Sequence, residues 1–135
     1  MPLVVRTGVD LVYIPRIARI VARFGDRFVQ RIYTPQETMI CAGRIHALAA
    51  RWAGKEAVAK LLGVGVAGIG SGTHAIPFRH IEIGRAQNGK PQVVLYDRAR
   101  ACADSLGLTS FDISLSHDGD YVVASAVAIG QEPDV

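Results

Sequence analysis

Cysteine is scarce in this 135-residue sequence, which contains only two cysteines, and they lie far apart. Neither Cys41 nor Cys102 belongs to a CxxC pair or stands at metal-ligand spacing from a histidine. Lone cysteines in a globular chain are usually small buried apolar residues. A chain of this length buries enough surface to fold without disulfides or a structural metal. We therefore expect neither a disulfide framework nor a zinc site.

Long apolar runs are also missing. The longest, Tyr121 to Ile129, contains Ser125 and falls well short of the ~18 residues of a membrane span. The apolar run within Met1–Asp10 is too short for a signal peptide. Aromatic residues make up only 7% of the chain, fewer than is typical of proteins that stack the bases of single strands. These observations predict a cytoplasmic protein with neither a membrane nor a nucleic acid as partner.

Charged residues are few, at 20% of the chain, and they are unevenly distributed. Residues 1–31 carry a net charge of +4, whereas the rest of the chain carries −1. The arginines of this segment are Arg6, Arg16, Arg19, Arg23, Arg27 and Arg31. Those from Arg16 to Arg27 recur at helical spacing and form one stripe. The stripe indicates an acidic partner, although a solvated arginine surface without a partner would give the same pattern.

The hydrophobic pattern predicts a single compact α+β domain over residues 1–130, with a frayed tail over 131–135. The first half of the chain is predicted to contain a strand over Val4–Asp10, a helix from Pro15 that Gly25-Asp26 can interrupt, a helix from Thr34-Pro35-Gln36-Glu37 and a long helix over Ile45–Leu62. A glycine-rich loop from Gly63 to Pro77 follows. The second half is predicted to contain a hairpin around Asn88-Gly89, a helix over Asp97–Leu106, and strands over Phe111–His117 and Tyr121–Ile129. Because Tyr121–Ile129 is apolar on both faces, it is expected to be a central strand. The architecture is thus an antiparallel sheet packed against a long helix.

The long helix has two unlike halves. Small and apolar side chains, among them Ala53, Gly54 and Ala57, share one half and predict close packing against another element. The other half is polar, with Arg51, Lys55, Glu56 and Lys60. We therefore expect the helix to pack closely against another element through its half of small side chains.

Two carboxylates are candidates for chemistry. Asp10 lies in an apolar strand, where it needs a cation or several donors, or else caps the helix that follows. Glu56 lies among basic residues on the long helix, where a simple pair with Lys60 at i, i+4 is the plainer interpretation. Two carboxylates with waters and phosphate oxygens would suit Mg²⁺. Sequence spacing alone leaves open whether they meet.

Two further segments are open to a chemical interpretation. His117, in Ser114-Leu115-Ser116-His117-Asp118, can bind a phosphate or relay a proton, or it is only a polar residue at a strand end. Gly63-Val64-Gly65 follows the long helix and can let the backbone approach a ligand, or it simply ends the helix. Neither segment is a GxSxG elbow or a Walker loop.

The order of these segments resembles one family. Gly8-Val9-Asp10 with Arg16, followed by Phe28–Thr34 and Glu37, resembles the opening of the holo-acyl-carrier-protein synthases. The stretch from Arg51 to Ala57, with Lys60 and Gly63, is similar to that family's RFAAKEAxxKxxG signature. Asn88-Gly89-Lys90-Pro91 and Ser114-Leu115-Ser116-His117 match its NGKP and SxSH motifs. The resemblance extends from about Gly8 to Ile129, with Trp52 and Gly54 where the family usually has Phe and Ala.

The resemblance implies a 4′-phosphopantetheinyl transferase of fatty acid and lipid biosynthesis, which moves the arm of coenzyme A onto a serine of apo-acyl carrier protein and releases adenosine 3′,5′-bisphosphate. Asp10 and Glu56 would be the magnesium ligands. The coenzyme A residues would be Arg51, Lys55, Lys60, Gly63, Gly65 and His117. Arg16, Arg27 and Arg31 would contact the acidic carrier. A homotrimer with active sites between subunits is expected.

The general base is not settled by the resemblance. Asp118, Glu56 and a coordinated water are the candidates, and we favour the water, assisted by Asp118 or His117. Two other functions remain open at this stage. One is a magnesium-dependent phosphoesterase that uses the same carboxylates, and the other is a non-catalytic basic module that binds an acidic partner.

Overall fold

The computed structural model describes residues 2–64 and 75–134. In chain order, the elements are β1 (Leu3–Tyr13), α1 (Ile14–Phe24), α2 (Asp26–Ile32), α3 (Pro35–Cys41), α4 (Ile45–Leu62), a 3-10 turn (Phe78–His80), β2 (Ile81–Arg85), β3 (Pro91–Leu95), α5 (Asp97–Ser105), β4 (Leu108–Asp118) and β5 (Tyr121–Gln131). These elements confirm the predicted α+β fold with antiparallel pairing around a long helix. The last strand continues beyond Ile129, where the apolar pattern predicted its end.

β5 lies at the centre of the three-stranded sheet, whose order is β1-β5-β4, as its two apolar faces predicted. Both neighbours pair with it in antiparallel fashion, so that Asp10, Ala124 and Leu115 stand side by side across the sheet. β2 and β3 form a separate two-stranded hairpin. Small side chains of β5, including Ala126 and Ala128, leave room on the inner face for α4.

The long helix α4 is covered on both sides. The sheet covers one side, and α1, α3 and β2 pack against other parts of the helix. Arg51 is 7% exposed and Lys55 is 0% exposed, so the half of the helix that carries the charged residues is itself partly buried. Periodicity within α4 could not reveal this, because the covering elements supply partners for the two cations.

The N-terminal helices divide the arginine stripe. α1 ends at Phe24 and α2 begins at Asp26, so the interruption anticipated at Gly25-Asp26 is present. α3 begins with the predicted capping box: Glu37 N donates to Thr34 Oγ1 at 3.2 Å, and Thr34 N donates to Glu37 Oε1 at 2.9 Å. α1 and α3 pack against α4, and α2 packs against α1 and the 3-10 turn.

The outer face of the three-stranded sheet is apolar, and no element of residues 2–64 and 75–134 covers it. Its exposed large apolar residues are Leu3, Val5, Val9, Leu11 and Tyr13 of β1 and Tyr121, Val127 and Ile129 of β5. Successive residues of a strand point to opposite faces, so the alternation in β1 places these side chains away from α4. A patch of this extent usually marks an interaction surface.

α4 ends where the sequence predicted, at Leu62. Gly63 adopts a φ of 77°, in the left-handed region that favours glycine, and its N–H closes the last turn. Of the predicted glycine-rich loop 63–77, residues 65–74 lie outside the described residues. Among the helices that the structure describes, none has the length and apolar character needed to cross a membrane.

Candidate active site

Asp10 lies on the inner face of β1, where the strand crosses the C-terminal half of α4. Lys60 Nζ is 3.0 Å from Asp10 Oδ1 and 3.0 Å from the Val9 carbonyl oxygen. The Asp10 side chain is 15% exposed, whereas that of Lys60 is 53% exposed. Asp10 therefore has the cation that its position in an apolar strand requires, and that cation comes from α4.

Glu56 is half-buried one helical turn before Lys60. Burial and, after it, the nearby charge of Asp10 raise the pKa of Glu56, while Lys60 and Arg16 act in the opposite direction. The two carboxylates, 46 positions apart in the chain, thus lie within electrostatic reach of each other. Asp10, Glu56, Lys60 and Arg16 form a cluster of two negative and two positive charges, which we call the carboxylate cluster.

The cluster offers two carboxylates to a metal ion. No group of three or more His, Cys, Asp or Glu side chains suited to a metal occurs in the part of the chain that the structure describes. Two carboxylates are nevertheless enough for Mg²⁺, which keeps several waters and commonly takes substrate phosphates as further ligands. Asp10 and Glu56 therefore fit a magnesium ion that is completed by water and a phosphorylated substrate.

A cation-lined cavity of about 640 Å³ opens beside the edge strand β4. Arg51, Arg85 and Lys90 supply its positive charge. Arg51 is held in place by its Nε, which donates to the Ile83 carbonyl oxygen at 3.2 Å. Lys90 pairs with Asp112 of β4. The three cations suit a phosphate group that does not contact the carboxylate cluster.

A second groove, of about 590 Å³, is lined by residues of α1 and α2, by Trp52 of α4 and by Phe78. It brings together the three arginines predicted to bind a carrier, Arg16, Arg27 and Arg31. The floor is apolar and consists of Ile20, Phe24, Phe28, Ile32, Trp52 and Phe78. We call this feature the arginine groove. Because Arg16 also belongs to the carboxylate cluster, the groove and the cluster adjoin.

Lys55 does not reach either feature. Its ammonium is 2.6 Å from Glu37 Oε1, donates to the Phe78 carbonyl oxygen at 2.9 Å, and also bonds to the Ile81 carbonyl oxygen. Both side chains of the pair are fully buried. Glu37 also accepts from Ile83 N at 2.8 Å. Lys55 therefore joins α3, α4 and β2, and no part of its side chain is left for a ligand.

His117 and Asp118 lie apart from the carboxylate cluster, at the end of β4. Both are exposed, and the His117 ring lies 5.9 Å from that of His46, centroid to centroid. Among the described residues, no hydrogen bond or ion pair joins either of them to Asp10 or Glu56. Gly63 lies next to the Arg6 guanidinium. Gly65 is outside the described residues.

Sequence reasoning missed two features. Arg85 of the cation-lined cavity follows a hydrophobic strand and precedes the NGKP segment, a position at which a basic residue near a phosphate could have been suspected. The buried pair of Glu37 and Lys55 had no local signal, because the capping box accounts for Glu37 and the helix pattern only places Lys55 among other charged residues.

The family now follows from sequence comparison. The sequence profile of the 4′-phosphopantetheinyl transferase superfamily matches residues 6–126, which include the carboxylate cluster and the arginine groove. The match covers most of the chain, and the chain belongs to this superfamily. It is therefore an enzyme of the phosphopantetheinyl transferase class.

Curated relatives define the group within the superfamily. A holo-acyl-carrier-protein synthase of a Roseiflexus species is 60% identical over 96 residues, which are 71% of this chain and 70% of the relative. A holo-acyl-carrier-protein synthase of Herpetosiphon aurantiacus is 45% identical over 124 residues, 92% of this chain and 98% of the relative. These relatives confirm the resemblance to the holo-acyl-carrier-protein synthases that the motifs indicated.

A solved structure extends the similarity to three dimensions. The complex of Chronobacterium ammoniagenes ACPS with CoA superposes with a TM-score of 0.80 at 31% identity, covering 96% of this chain and 99% of that chain. The fold described above is thus that of a holo-acyl-carrier-protein synthase.

Proposed function

We propose that the protein transfers the 4′-phosphopantetheine group of coenzyme A to a serine of apo-acyl carrier protein, releasing adenosine 3′,5′-bisphosphate, in the cytoplasm and for fatty acid and lipid biosynthesis. The observation that carries this proposal is the position of the carboxylate cluster beside the arginine groove. A phosphate-binding centre and a basic docking surface therefore share one residue, Arg16.

Asp10 and Glu56 hold Mg²⁺ in this proposal. Bound there, the ion would withdraw charge from the coenzyme A diphosphate and stabilise the departing bisphosphate. The chain's own contribution is to hold two carboxylates close together against their mutual repulsion. Lys60 and Arg16 make that possible by supplying positive charge at the same place.

Coenzyme A is bound through its phosphates. Arg51, with Arg85 and Lys90, lines a cavity that is large enough for one phosphate, and Lys60 serves the diphosphate near Asp10. Gly63, in the left-handed conformation that ends α4, allows the chain there to approach the substrate. The same role for Gly65, outside the described residues, stays a prediction. We do not include Lys55, because its ammonium is buried and already has three partners.

The serine hydroxyl attacks the phosphorus that carries the pantetheine arm. One P–O bond forms to serine oxygen, and the P–O bond to the adenosine bisphosphate breaks. In such a reaction the protein chiefly positions the reactants and offsets charge. A water takes the serine proton, with His117 or Asp118 assisting. Because these two residues lie apart from Asp10 within one chain, a second copy would have to bring them to the site.

A homotrimer supplies that second copy. The apolar outer face of the sheet provides the contact surface, since it exposes side chains such as Leu3, which is 70% exposed, and Leu11, which is 64% exposed. The outer face continues into the cation-lined cavity, where Ser125 and Val127 form part of the wall. A copy packed on this face would therefore also cover the proposed coenzyme A site.

The acidic carrier docks in the arginine groove. Arg16, Arg27 and Arg31 offer positive charge around an apolar floor, the composition expected where a polar rim surrounds a desolvated centre. Arg16 belongs to both the arginine groove and the carboxylate cluster. A serine presented from this groove would therefore face the diphosphate.

One assay separates the transferase from the phosphoesterase and from the non-catalytic module. The protein is incubated with apo-acyl carrier protein, coenzyme A and Mg²⁺, and the carrier is weighed by mass spectrometry. A gain equal to the phosphopantetheine arm supports the transferase. Bisphosphate release without that gain supports a phosphoesterase. If neither the mass gain nor bisphosphate release is observed, the result supports a module that only binds.

The same assay tests the carboxylates. Asp10→Ala and Glu56→Ala are each expected to abolish transfer while leaving the circular dichroism spectrum unchanged. Asp104→Ala, which removes an exposed acid of α5, is the matched control and should retain activity. Full activity in either of the first two variants would remove that residue from the proposed ligand set.

A further inference from the structure

Lys60 bonds to β1 and not to Glu56, although Glu56 stands at the i−4 position. Its ammonium uses Asp10 Oδ1 and the Val9 carbonyl oxygen, both at 3.0 Å. A divalent cation held by Asp10 would require a carboxylate oxygen of the same residue at about 2.1 Å. Two cations at such distances from one carboxylate repel each other, so the bond seen here competes with a metal ion.

We propose that Lys60 is an exchangeable counter-ion of the Asp10 and Glu56 carboxylates, one that pairs with Asp10 and leaves it when a divalent cation binds. This inference rests on the proposed function, because it takes those two carboxylates as the metal ligands. It goes beyond a phosphate contact, since it assigns Lys60 a role before any substrate is bound.

The need for a counter-ion follows from burial. The Asp10 side chain is 15% exposed and Glu56 is half-buried, and burial, followed by the charge of Asp10, raises the pKa of Glu56. Two such carboxylates held together without a cation would repel each other and destabilise the fold. Lys60 and Arg16 prevent this within a single chain, so the site is formed before the metal arrives.

The ability to exchange follows from exposure. The Lys60 side chain is 53% exposed, and its four-carbon stem can carry the ammonium away from β1 by rotation alone. Exposed ion pairs of this kind hold weakly, so little is lost when the contact opens. Lys55, five residues earlier on the same helix, is the opposite case, because it is buried and fixed by three bonds.

The exchange couples the two ligands. A metal at Asp10 releases Lys60, and a phosphate of coenzyme A offers the released ammonium a new partner. Each ligand then removes an obstacle to the other, and by linkage the two affinities rise by the same factor. The contact of Lys60 with Asp10 thus favours binding of the metal and coenzyme A together over binding of either one alone.

Binding of Mn²⁺, used as a spectroscopic probe for the divalent site, tests this directly. Free Mn²⁺ is measured by electron paramagnetic resonance during titration of the wild-type chain, Lys60→Gln and Arg16→Gln. Lys60→Gln is expected to bind Mn²⁺ about tenfold more tightly than wild type, because it removes a competing charge at contact distance. Arg16→Gln, which removes a charge without opening a bond to Asp10, should change the affinity by less than about threefold.

Addition of coenzyme A gives the second measurement. It should tighten Mn²⁺ binding clearly in the wild type and much less in Lys60→Gln, where no ammonium is released. Equal gains in Mn²⁺ affinity in Lys60→Gln and Arg16→Gln, or an unchanged Mn²⁺ affinity in Lys60→Gln, would overturn the inference. The metal site itself would still be supported in that case, provided that Mn²⁺ binding depended on Asp10. If neither the wild type nor Lys60→Gln bound Mn²⁺ more tightly than Asp10→Ala, the metal role in the proposed function would fail, and the inference with it.

Discussion

Gly8 of β1 lies so close to α4 that a methyl group on its α carbon would stand 1.9 Å from the carbonyl oxygen of Ala57. The same methyl would be 2.9 Å from Leu61 N. Asp10 follows two residues later on the same face of the strand, and Glu56 immediately precedes Ala57 in the helix. The contact of Gly8 with Ala57 therefore sets the separation of the two carboxylates.

Replacement of Gly8 by alanine should consequently damage both the fold and the site. Because the obstacle is main chain on both sides, strand and helix must move apart, and overpacking of this kind costs about 1–3 kcal/mol of the free energy of unfolding. We expect weaker Mn²⁺ binding in the surviving folded protein. Urea unfolding and Mn²⁺ titration, at one protein concentration, measure the two effects.

Gly84→Ala is the matched control for that substitution. Gly84 is a buried glycine of β2, and the nearest atoms to an added methyl group lie at 3.9 Å, an ordinary contact distance. It should change the free energy of unfolding and Mn²⁺ affinity little. Comparable losses in the two variants would show that the Gly8 contact has no special role.

The sequence predicted the elements well and their lateral contacts poorly. Local signals such as the capping box at Thr34, the glycine after Leu62 and the apolar run of β5 gave correct helix and strand positions, because each depends on neighbouring residues. The burial of Lys55 could not be read from local pattern, because its partner, Glu37, is 18 positions away in the chain and in another helix. Motif order identified the family, but the pairing of Lys60 with Asp10 required the fold.

The buried pair of Glu37 and Lys55 provides a second prediction. Burial raises the pKa of Glu37 and lowers that of Lys55, so each charge depends on the other for its stability. Glu37→Gln and Lys55→Met should each cost about 3–5 kcal/mol of the free energy of unfolding, since each leaves one buried charge without its partner. Urea unfolding measures the loss.

The double variant distinguishes pairing from simple packing. Glu37→Gln with Lys55→Met should cost clearly less than the sum of the two single changes, because no buried charge is left alone. Lys90→Met, which breaks the exposed pair with Asp112, is the control and should cost no more than about 1 kcal/mol. Additive losses in the double variant would contradict the prediction.

The exposed apolar face of the sheet provides a third prediction. Leu11→Glu places a charge in the middle of the proposed contact, where its burial against another copy would be unfavourable. We expect the wild type to sediment at three times the mass of the chain and Leu11→Glu to sediment as a monomer with much reduced transfer activity. Analytical ultracentrifugation measures the masses.

Met39→Glu is the control for the sheet face. Met39 of α3 is 71% exposed, so it resembles Leu11 in exposure and apolar character but lies away from the sheet. It should leave the mass unchanged. A wild-type chain that sediments as a monomer would rule out the trimer and leave the apolar face to a different partner.

The arginine groove provides the last prediction, which depends on the position of each arginine and not on total charge. Arg27→Glu reverses a charge that lines the groove, and it should raise the KM for the carrier by about tenfold while leaving kcat within a factor of about two. The effect should shrink as ionic strength rises, because salt screens exposed charges. Arg19→Glu makes the same change in net charge at an exposed position that is not part of the groove. We expect a large difference in KM between the two variants at low salt, and we expect it to disappear at high salt. If the two variants raised KM equally, the carrier would be responding to the general field of the basic segment and not to a defined docking site.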